Sequence, residues 1–507
     1  MKRNSINIKI KAVKVIIVLL TVLLVIPACD DRLDEMNKNP NAITEIPDDF
    51  LFASLVRMTV RDGISRWQED YGAQYAHQAI SNTWTKSIDQ YEDFHAQGDV
   101  PEEMFSGVYR GSIKYANDII SINSEEGNVN EVRIAMTKIL AIVNFAKLTD
   151  FFGDIPYFEG GMGKDEVYLP KYDTQKEIYA DMVEQLKVQM DILKVAEPAD
   201  AYPNQDPMYD NDLDSWVRFA NSFRLRLAMR ARFVDSGKYN PIIVDCLSQP
   251  LIEEIDQNAG IEHQDSENGE LYNPWYNKSI DYESNTYQYN VSEKFVDWLK
   301  MTSDPRLDAL VAPNPAGEFV GLPNGLVDEV IGNYTRSQIS VPGDLMLQPD
   351  QPLYIMCASE IWFLRAEAAL FGIGTGGDAA QLYQKGIEKG MERWGIDATD
   401  YLANSSEGIL SGTNEEMFEQ IATQMWVAFV PNHQEAWSNI RRTGYPVIAQ
   451  RTGPLVSAGV TNGYLPKRLK YPYTVEKTLN GANMQEAIDR MGGNDEIFTP
   501  VWWDVRD

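Results

Sequence analysis

The residue with the most specific chemistry is Cys29. It closes the stretch Leu24-Val25-Ile26-Pro27-Ala28-Cys29, followed by Asp30-Asp31. Ahead of it lie five basic residues, Lys2, Arg3, Lys9, Lys11 and Lys14. A mostly apolar run from Val15 to Ala28 follows them, interrupted by Thr21 and Pro27. A basic start, a short apolar core and a small residue before a break make up a bacterial export signal. The run is too short for a hydrocarbon core, which takes about 20 residues to cross. A cysteine directly after the small residue is where a lipoprotein is cut and its thiol acylated. Cys29 is therefore expected to carry lipid, with residues 1–28 removed as the signal, although Ile26 and Pro27 depart from the usual residues. Read without lipid, the segment is an ordinary cleaved signal with an incidental cysteine.

Other reactive-looking spacings resolve into structure. Gly372-Ile373-Gly374-Thr375-Gly376-Gly377 spells GxGxxG. A dinucleotide site needs a strand before those glycines, and the pattern here is helical. They are read as the end of one helix and the turn into the next, capped by Asp378. Asp206, Asp210, Asp212 and Asp214 lack the glycine and closing glutamate of a calcium loop, and precede a helix start that favours acids. Glu360 and Glu367 sit in an apolar helix, with Arg365 in reach to pair with its neighbours. Arg224, Arg226 and Arg230 share a helix with apolar residues and are expected to pair with acids from neighbouring helices. Arg441-Arg442-Thr443-Gly444-Tyr445-Pro446 is a similar anchor running into a tight turn. No HExxH, CxxC or GxSxG spacing occurs. No catalytic residues, metal ligands or cofactor are assigned. Cys246 and Cys357 are far apart, and Cys357 reads as a small buried residue in an apolar helical stretch rather than half of a disulfide.

The chain has 507 residues and a formal charge of −30. Removing the basic leader makes it more acidic still. Such a body repels phosphates and is a poor candidate for nucleic-acid binding. Aromatic residues make up 11%, with 25 Tyr and 11 Trp. Part of that must be core, and part suits a surface that stacks on sugar rings or peptides.

Elements that would position these residues are mostly helical. Apolar periodicity predicts helices from Asp48 to Asn82, Pro101 to Ser121, Asn130 to Phe151, Thr174 to Leu193 and from Leu213 past Ala228. Gly153-Asp154-Ile155-Pro156 stops the third, and Thr174 with Glu177 forms a capping box for the fourth. From 258 to 353 the periodicity fades into turns such as Asn273-Pro274, Asn324-Gly325 and Pro342-Gly343. This reads as loops, short strands and helical turns inserted in a helical scaffold. Helix resumes over Tyr354–Phe371, Asp378–Trp394 and Asn414–Phe429. The tail from Arg441 reads as irregular. The Ser359–Phe371 and Asp378–Trp394 pair, with Ala379, Tyr383 and Gly386 in small-large-small spacing, suggests a tetratricopeptide-like hairpin. An α-solenoid core is expected.

In order and spacing the chain resembles the SusD/RagB nutrient-uptake lipoproteins, in the SusD-like branch. The resemblance rests on Asn39-Pro40-Asn41, Asp150-Phe151-Phe152-Gly153-Asp154-Ile155-Pro156-Tyr157 and Tyr172-Asp173-Thr174-Gln175-Lys176-Glu177-Ile178-Tyr179. It continues through Trp216 to Ala228, Ala366-Glu367-Ala368-Ala369, Thr423-Gln424-Met425-Trp426, Arg441 to Pro446 and Trp502-Trp503-Asp504. The resemblance implies an all-α dominated fold: a tetratricopeptide-like α-solenoid scaffold supporting an irregular, loop-rich ligand-binding half. It implies a single SusD-like domain over 29–507. It also implies a non-enzymatic lipoprotein on the outer face of the outer membrane. Asp30-Asp31 fits surface export. Such a protein delivers oligosaccharide, or in some branches peptide, to a SusC-like TonB-dependent transporter.

The matching motifs belong to the scaffold, so the binding face is argued from aromatics on loops. One region offers Trp84, Tyr91 and Phe94 among Asn82, Gln90 and Asp93. The other offers Tyr272, Trp275, Tyr276, Tyr282 and Tyr287. Trp84, Tyr91, Tyr272, Trp275 and Tyr276 are the expected ligand contacts, with core packing as the competing reading for each. A peptide-binding member of the same family and a secreted glycoside hydrolase remain the alternatives.

Overall fold

The computed structural model describes residues 46–61, 71–81, 86–92, 100–265, 272–281, 286–287, 289–374 and 377–506. Cys29, Trp84, Phe94 and Tyr282 lie outside the described residues.

Helix α1 (Asp48–Arg61) turns Phe52, Leu55, Val56 and Thr59 inward at the spacing seen in the sequence. Its described residues run to Arg61, and Ala79–Ser81 form a strand, so the expected helix does not continue through to Asn82. Helix α2 (Val100–Val108) runs through a π-helical turn, Tyr109–Ile113, into α3 (Lys114–Ile122). Next comes α4 (Glu131–Phe152), whose 22 residues are buried almost all round. Its Asn130 cap accepts from Val132 N and Arg133 N, each at 3.1 Å. It ends where Gly153 takes φ 85°, a conformation that favours glycine. Helix α5 (Gln175–Leu193) opens on the Thr174–Glu177 capping box. Helix α6 (Leu213–Ala231) opens on the Asp212 cap. Asp206, a few residues earlier, accepts from Met208 N, Tyr209 N, Asn211 N and Trp216 Nε1, so the acid run builds a helix start. Helix α7 (Ser236–Leu247), which was not predicted, packs on α6 with Tyr239, Ile243 and Cys246 on its buried face.

The middle of the chain is loop-rich, as expected. It contains α8 (Pro274–Ser279), α9 (Glu293–Met301) and short antiparallel strand pairs. Numbered along the chain, these strands are β1 (Ala79–Ser81), β2 (Ala259–Ile261), β3 (Ile280–Asp281), β4 (Thr286–Tyr287), β5 (Tyr289–Val291), β6 (Val311–Ala312), β7 (Val341–Pro342) and β8 (Leu353–Met356). β1 pairs with β5, β2 with β8, β3 with β4 and β6 with β7. β8 corrects one expectation, because helix does not resume at Tyr354. Residues 353–356 pair with β2 first, and α10 (Ala358–Leu370) starts only after Cys357. A short apolar run at a helix boundary has no period long enough to tell strand from helix.

The hairpin of α10 and α11 (Ala379–Glu392) forms as read. Gly372, Gly374 and Gly377 take positive φ, and Asp378 caps α11 by accepting from Ala380 N and Gln381 N. Helix α12 (Asn414–Ala428) packs against α10 and α11. Two further helices were not predicted: α13 (His433–Thr443) and α14 (Val475–Arg490), the latter inside the tail from Arg441 that was expected to be irregular. Every residue of α13 is buried, and most of them are polar. Charged side chains are buried all round it, alongside Ala436, Trp437 and Ile440, so no polar outer face set off an apolar stripe.

That charge meets α6. Arg226 reaches Glu360 at 2.5 Å and Glu435 at 3.6 Å, and Arg230 pairs with Asp150 and Glu435. Arg232 and Arg442 share Glu367 at 2.8 and 2.6 Å. Burial alone would raise the Glu435 carboxyl, but Arg226 and Arg230 outweigh it and hold it low. The arginines of α6 do pair with acids from neighbouring helices. Arg365 does not take Glu360 or Glu367; it pairs with Glu253. Cys246 and Cys357 are free thiols. The scaffold is thus all-α dominated, pinned at its centre by buried ion pairs linking α4, α6, α10 and α13.

Candidate functional site

Helix α8 is a single turn with Pro274 at its first position, where a missing N–H costs nothing. Asn273 starts it: Oδ1 accepts from Trp275 N at 2.9 Å, and Asn273 N donates to Pro349 O at 2.8 Å. This fixes the direction of three aromatic side chains. Tyr272 and Tyr276, four residues apart, meet edge to face with centroids 5.1 Å apart and planes at 82°. Both are half-buried, and the Asp265 carboxylate faces the Tyr272 hydroxyl. Trp275 turns the other way and is 1% exposed. Its ring stands edge-on to His433 at 5.1 Å and to Tyr289 at 6.4 Å.

Behind the tyrosines lies a polar layer. His433 Nδ1 is 2.5 Å from Gln78 Oε1, while Gln78 Nε2 donates to Trp426 O at 2.6 Å. Burial pushes His433 down to about 3, so the ring is neutral and Nδ1 carries its proton. Asn273 Nδ2, Trp275 Nε1 and His433 Nε2 are buried without a hydrogen-bond partner among the described residues. Buried groups of this kind are usually satisfied, and three around one aromatic turn mark it out.

Tyr91 is a correction. It is 0% exposed, so neither face of its ring is open to a ligand. The Arg451 guanidinium lies 3.5 Å from its ring centroid, and its Oη is 2.9 Å from His77 Nε2. Arg451 also reaches Asp89 Oδ1 at 3.1 Å, and Asn324 Nδ2 donates to the same oxygen at 2.8 Å. Tyr91 therefore clamps three distant segments together. Trp275 is likewise interior, its ring packed edge-on against His433 and Tyr289. Tyr287 lies in β4, and Gln90 is spent on Leu326 O and Asp328 Oδ1. Of the expected contacts that are described, Tyr272 and Tyr276 come together at the surface. No local signal pointed to the His433–Gln78 layer, since its members are separated by hundreds of residues.

Among the described residues, no group of three or more His, Cys, Asp or Glu is arranged to hold a metal ion. None of the described helices is long and apolar enough to cross a membrane.

The SusD-like family, described as "Starch-binding associating with outer membrane", matches residues 40–472. A solved chitin-binding protein is 27% identical and superposes with a TM-score of 0.76, covering 90% of this chain and 99% of its own. A SusD homologue from Bacteroides uniformis is 25% identical, with a TM-score of 0.78 over 91% of this chain and all of its own. A chitin-binding SusD homologue from Flavobacterium johnsoniae, at 24% identity and a TM-score of 0.78, covers 91% of this chain and 99% of its own, a likeness of fold. No curated protein matches. The family is one of binding proteins, not enzymes. The chain belongs to the SusD-like family of carbohydrate-binding proteins that associate with the outer membrane.

Proposed function

We propose that this protein captures oligosaccharide on the Tyr272–Tyr276 face and delivers it to a SusC-like TonB-dependent transporter. A lipid on Cys29 holds it at the outer surface of the outer membrane. The observation that carries the ligand reading is the edge-to-face tyrosine pair at the surface of a carbohydrate-binding fold. Apolar C–H faces of a pyranose pack on such rings, and hydroxyls bond to Asp265 and nearby amides. Trp84 is proposed as a further stacking residue. The resemblance of the leader to a lipoprotein signal supports the anchor.

A glycan array followed by calorimetry tests the ligand. Wild-type protein binds chitin- or starch-derived oligosaccharides, and Tyr272→Ala/Tyr276→Ala loses that binding while its melting temperature stays close to wild type. Undiminished affinity in the double variant overturns this face as the site. Exclusive binding of peptides on a mixed array overturns the ligand class. For delivery and anchoring, gentle solubilisation of outer membranes co-purifies the protein with a large barrel, and intact mass shows an acylated N-terminal Cys29. Recovery of the protein alone, or an unmodified Cys29, counts against each in turn.

A further inference from the structure

A second cleft, of 460 Å3, lies between α9 and α12. It is lined by Trp298, Glu407, Ser411, Glu416, Glu419, Gln420 and Thr423, together with Gly412. Its size falls within the roughly 300–1,000 Å3 of small-ligand sites. Trp298 forms one wall, half-buried, with its ring centroid 6.5 Å from that of Trp426 and the planes at 89°. The lining carries three carboxylates and no cation.

The carboxylates differ in what they already do. Glu416 is engaged in the capping box of α12, accepting from Thr413 N at 2.7 Å. Glu407 and Glu419 have no side-chain hydrogen bond or ion pair among the described residues. Lys294 is the charged group that Glu419 senses, but its Nζ donates to Val447 O at 2.9 Å. Thr423 supplies an independent sign. Its side chain is 6% exposed and faces the cleft, and its hydroxyl has no partner among the described residues. A buried helical threonine usually spends its hydroxyl on the carbonyl one turn back. The Trp298 indole N–H is unpartnered among the described residues too.

We infer that this cleft binds a glycan unit bearing a protonated amine, an amino sugar such as glucosamine. The inference rests on the carbohydrate-binding reading. The apolar face of the ring packs on Trp298, where a nearby ammonium also gains from the indole quadrupole. The ammonium donates to the Glu407 and Glu419 carboxylates, both of which await a donor. Ring hydroxyls are taken by Thr423 Oγ1, Gln420 and the indole N–H. A neutral or N-acetylated sugar would leave the half-buried Glu407 carboxylate unpaired and forgo the ammonium contact to the exposed Glu419, so the site discriminates by charge.

Calorimetry with glucosamine tetrasaccharide, its fully N-acetylated counterpart and a lysine tetrapeptide tests this. Glucosamine tetrasaccharide binds best. Glu407→Gln/Glu419→Gln weakens it about tenfold or more, the scale of one charge-assisted hydrogen bond. Trp298→Phe, which keeps an apolar contact to Trp426, weakens it less. Equal affinity for the N-acetylated sugar at this cleft, or an unchanged affinity in the glutamine variant, overturns the inference. Tighter, glutamate-dependent binding of the lysine peptide overturns it in favour of a peptide ligand. Loss of N-acetylated binding in the tyrosine variant reports on the Tyr272–Tyr276 face alone, so the two readings fail separately.

Discussion

The Arg451 guanidinium lies flat over Tyr91, 3.5 Å from the ring centroid, and also donates to His77 Nε2 at 3.2 Å. That nitrogen is therefore the unprotonated one, and it also faces the Tyr91 hydroxyl. Truncating the ring removes a buried aromatic that joins 86–92 to the 451–460 loop. Tyr91→Ala is expected to cost about 3–5 kcal/mol. Tyr91→Phe, which removes a hydroxyl, should cost about 1 kcal/mol. Urea denaturation measures both. A Tyr91→Phe variant with normal stability but lost glycan binding would return Tyr91 to the ligand site.

Tyr272 and Tyr276 predict the opposite pattern. Their rings lean on each other at the surface, so removing one costs little packing. Each single alanine variant is expected to weaken oligosaccharide binding by about 1–2 kcal/mol, the worth of an aromatic contact. Unfolding midpoints should stay within about 0.5 kcal/mol of wild type, as for most surface substitutions. Trp275→Ala should lose stability, by about 3–5 kcal/mol, since its ring is buried against His433 and Tyr289. Calorimetry beside urea titration separates the two classes.

The scaffold's ion pairs give a third expectation. Glu435 faces Arg226 and Arg230, and Glu435→Gln leaves both with one charged partner fewer inside the protein. Breaking a buried pair from one side costs about 3–5 kcal/mol because the other charge stays buried. The expected result is a large drop in the urea midpoint with no change in ligand preference. A variant of wild-type stability would mean that water reaches these groups.

How far the sequence could be read follows from how local each signal was. The Thr174–Glu177 box, the Gly153 stop and the Gly372–Asp378 turn are encoded within a few residues, and the structure keeps all three. Helix α13 was not legible, because Glu435, Asn439, Arg441 and Arg442 are buried alongside Ala436, Trp437 and Ile440, which leaves no polar outer face to set off an apolar stripe. The partners that neutralise its charges, such as Arg230 and Glu367, lie far away in the chain. The candidate site divides the same way. Aromatic loop residues were visible, but which faced outward depended on distant neighbours. Tyr91 and Tyr276 look alike in sequence, and Arg451 makes one of them core. Trp275 and Tyr276 are adjacent, and the single turn of α8 sends them to opposite sides.

The histidines predict acid sensitivity. Burial pushes His433 down to about 3, and burial, helped by Arg61 and Arg57, pushes His263 to about 4, against an ordinary 6.5. The unfolded chain therefore binds more protons than the folded one between the ordinary and the depressed values. Their contribution to stability is fully present above 6.5 and is lost as pH falls through 4 and then 3. The urea midpoint should decline from neutral pH to about pH 4. His433→Gln, which can still donate to Gln78 Oε1, should flatten that decline. An identical pH profile in the variant would remove His433 from the linkage.

Gly386 gives the last expectation, and two effects oppose each other there. It sits inside α11, where alanine would ordinarily stabilise the helix by about 1 kcal/mol. A Cβ at this position, however, would come within 2.6 Å of two ring carbons of Phe363 on α10. Phe363 is fully buried and stands 5.9 Å from Tyr383, so its ring has little room to retreat. Overpacking of this kind costs about 1–3 kcal/mol, which exceeds the propensity gain. Gly386→Ala should therefore be destabilising, and Gly386→Leu more so. Phe363→Leu combined with Gly386→Ala should recover part of the loss, because it removes the ring carbons that the new methyl meets. A double-mutant cycle by urea denaturation measures that coupling. A stabilised Gly386→Ala variant would show that α10 and α11 can separate freely, and that the small residue does not set their approach.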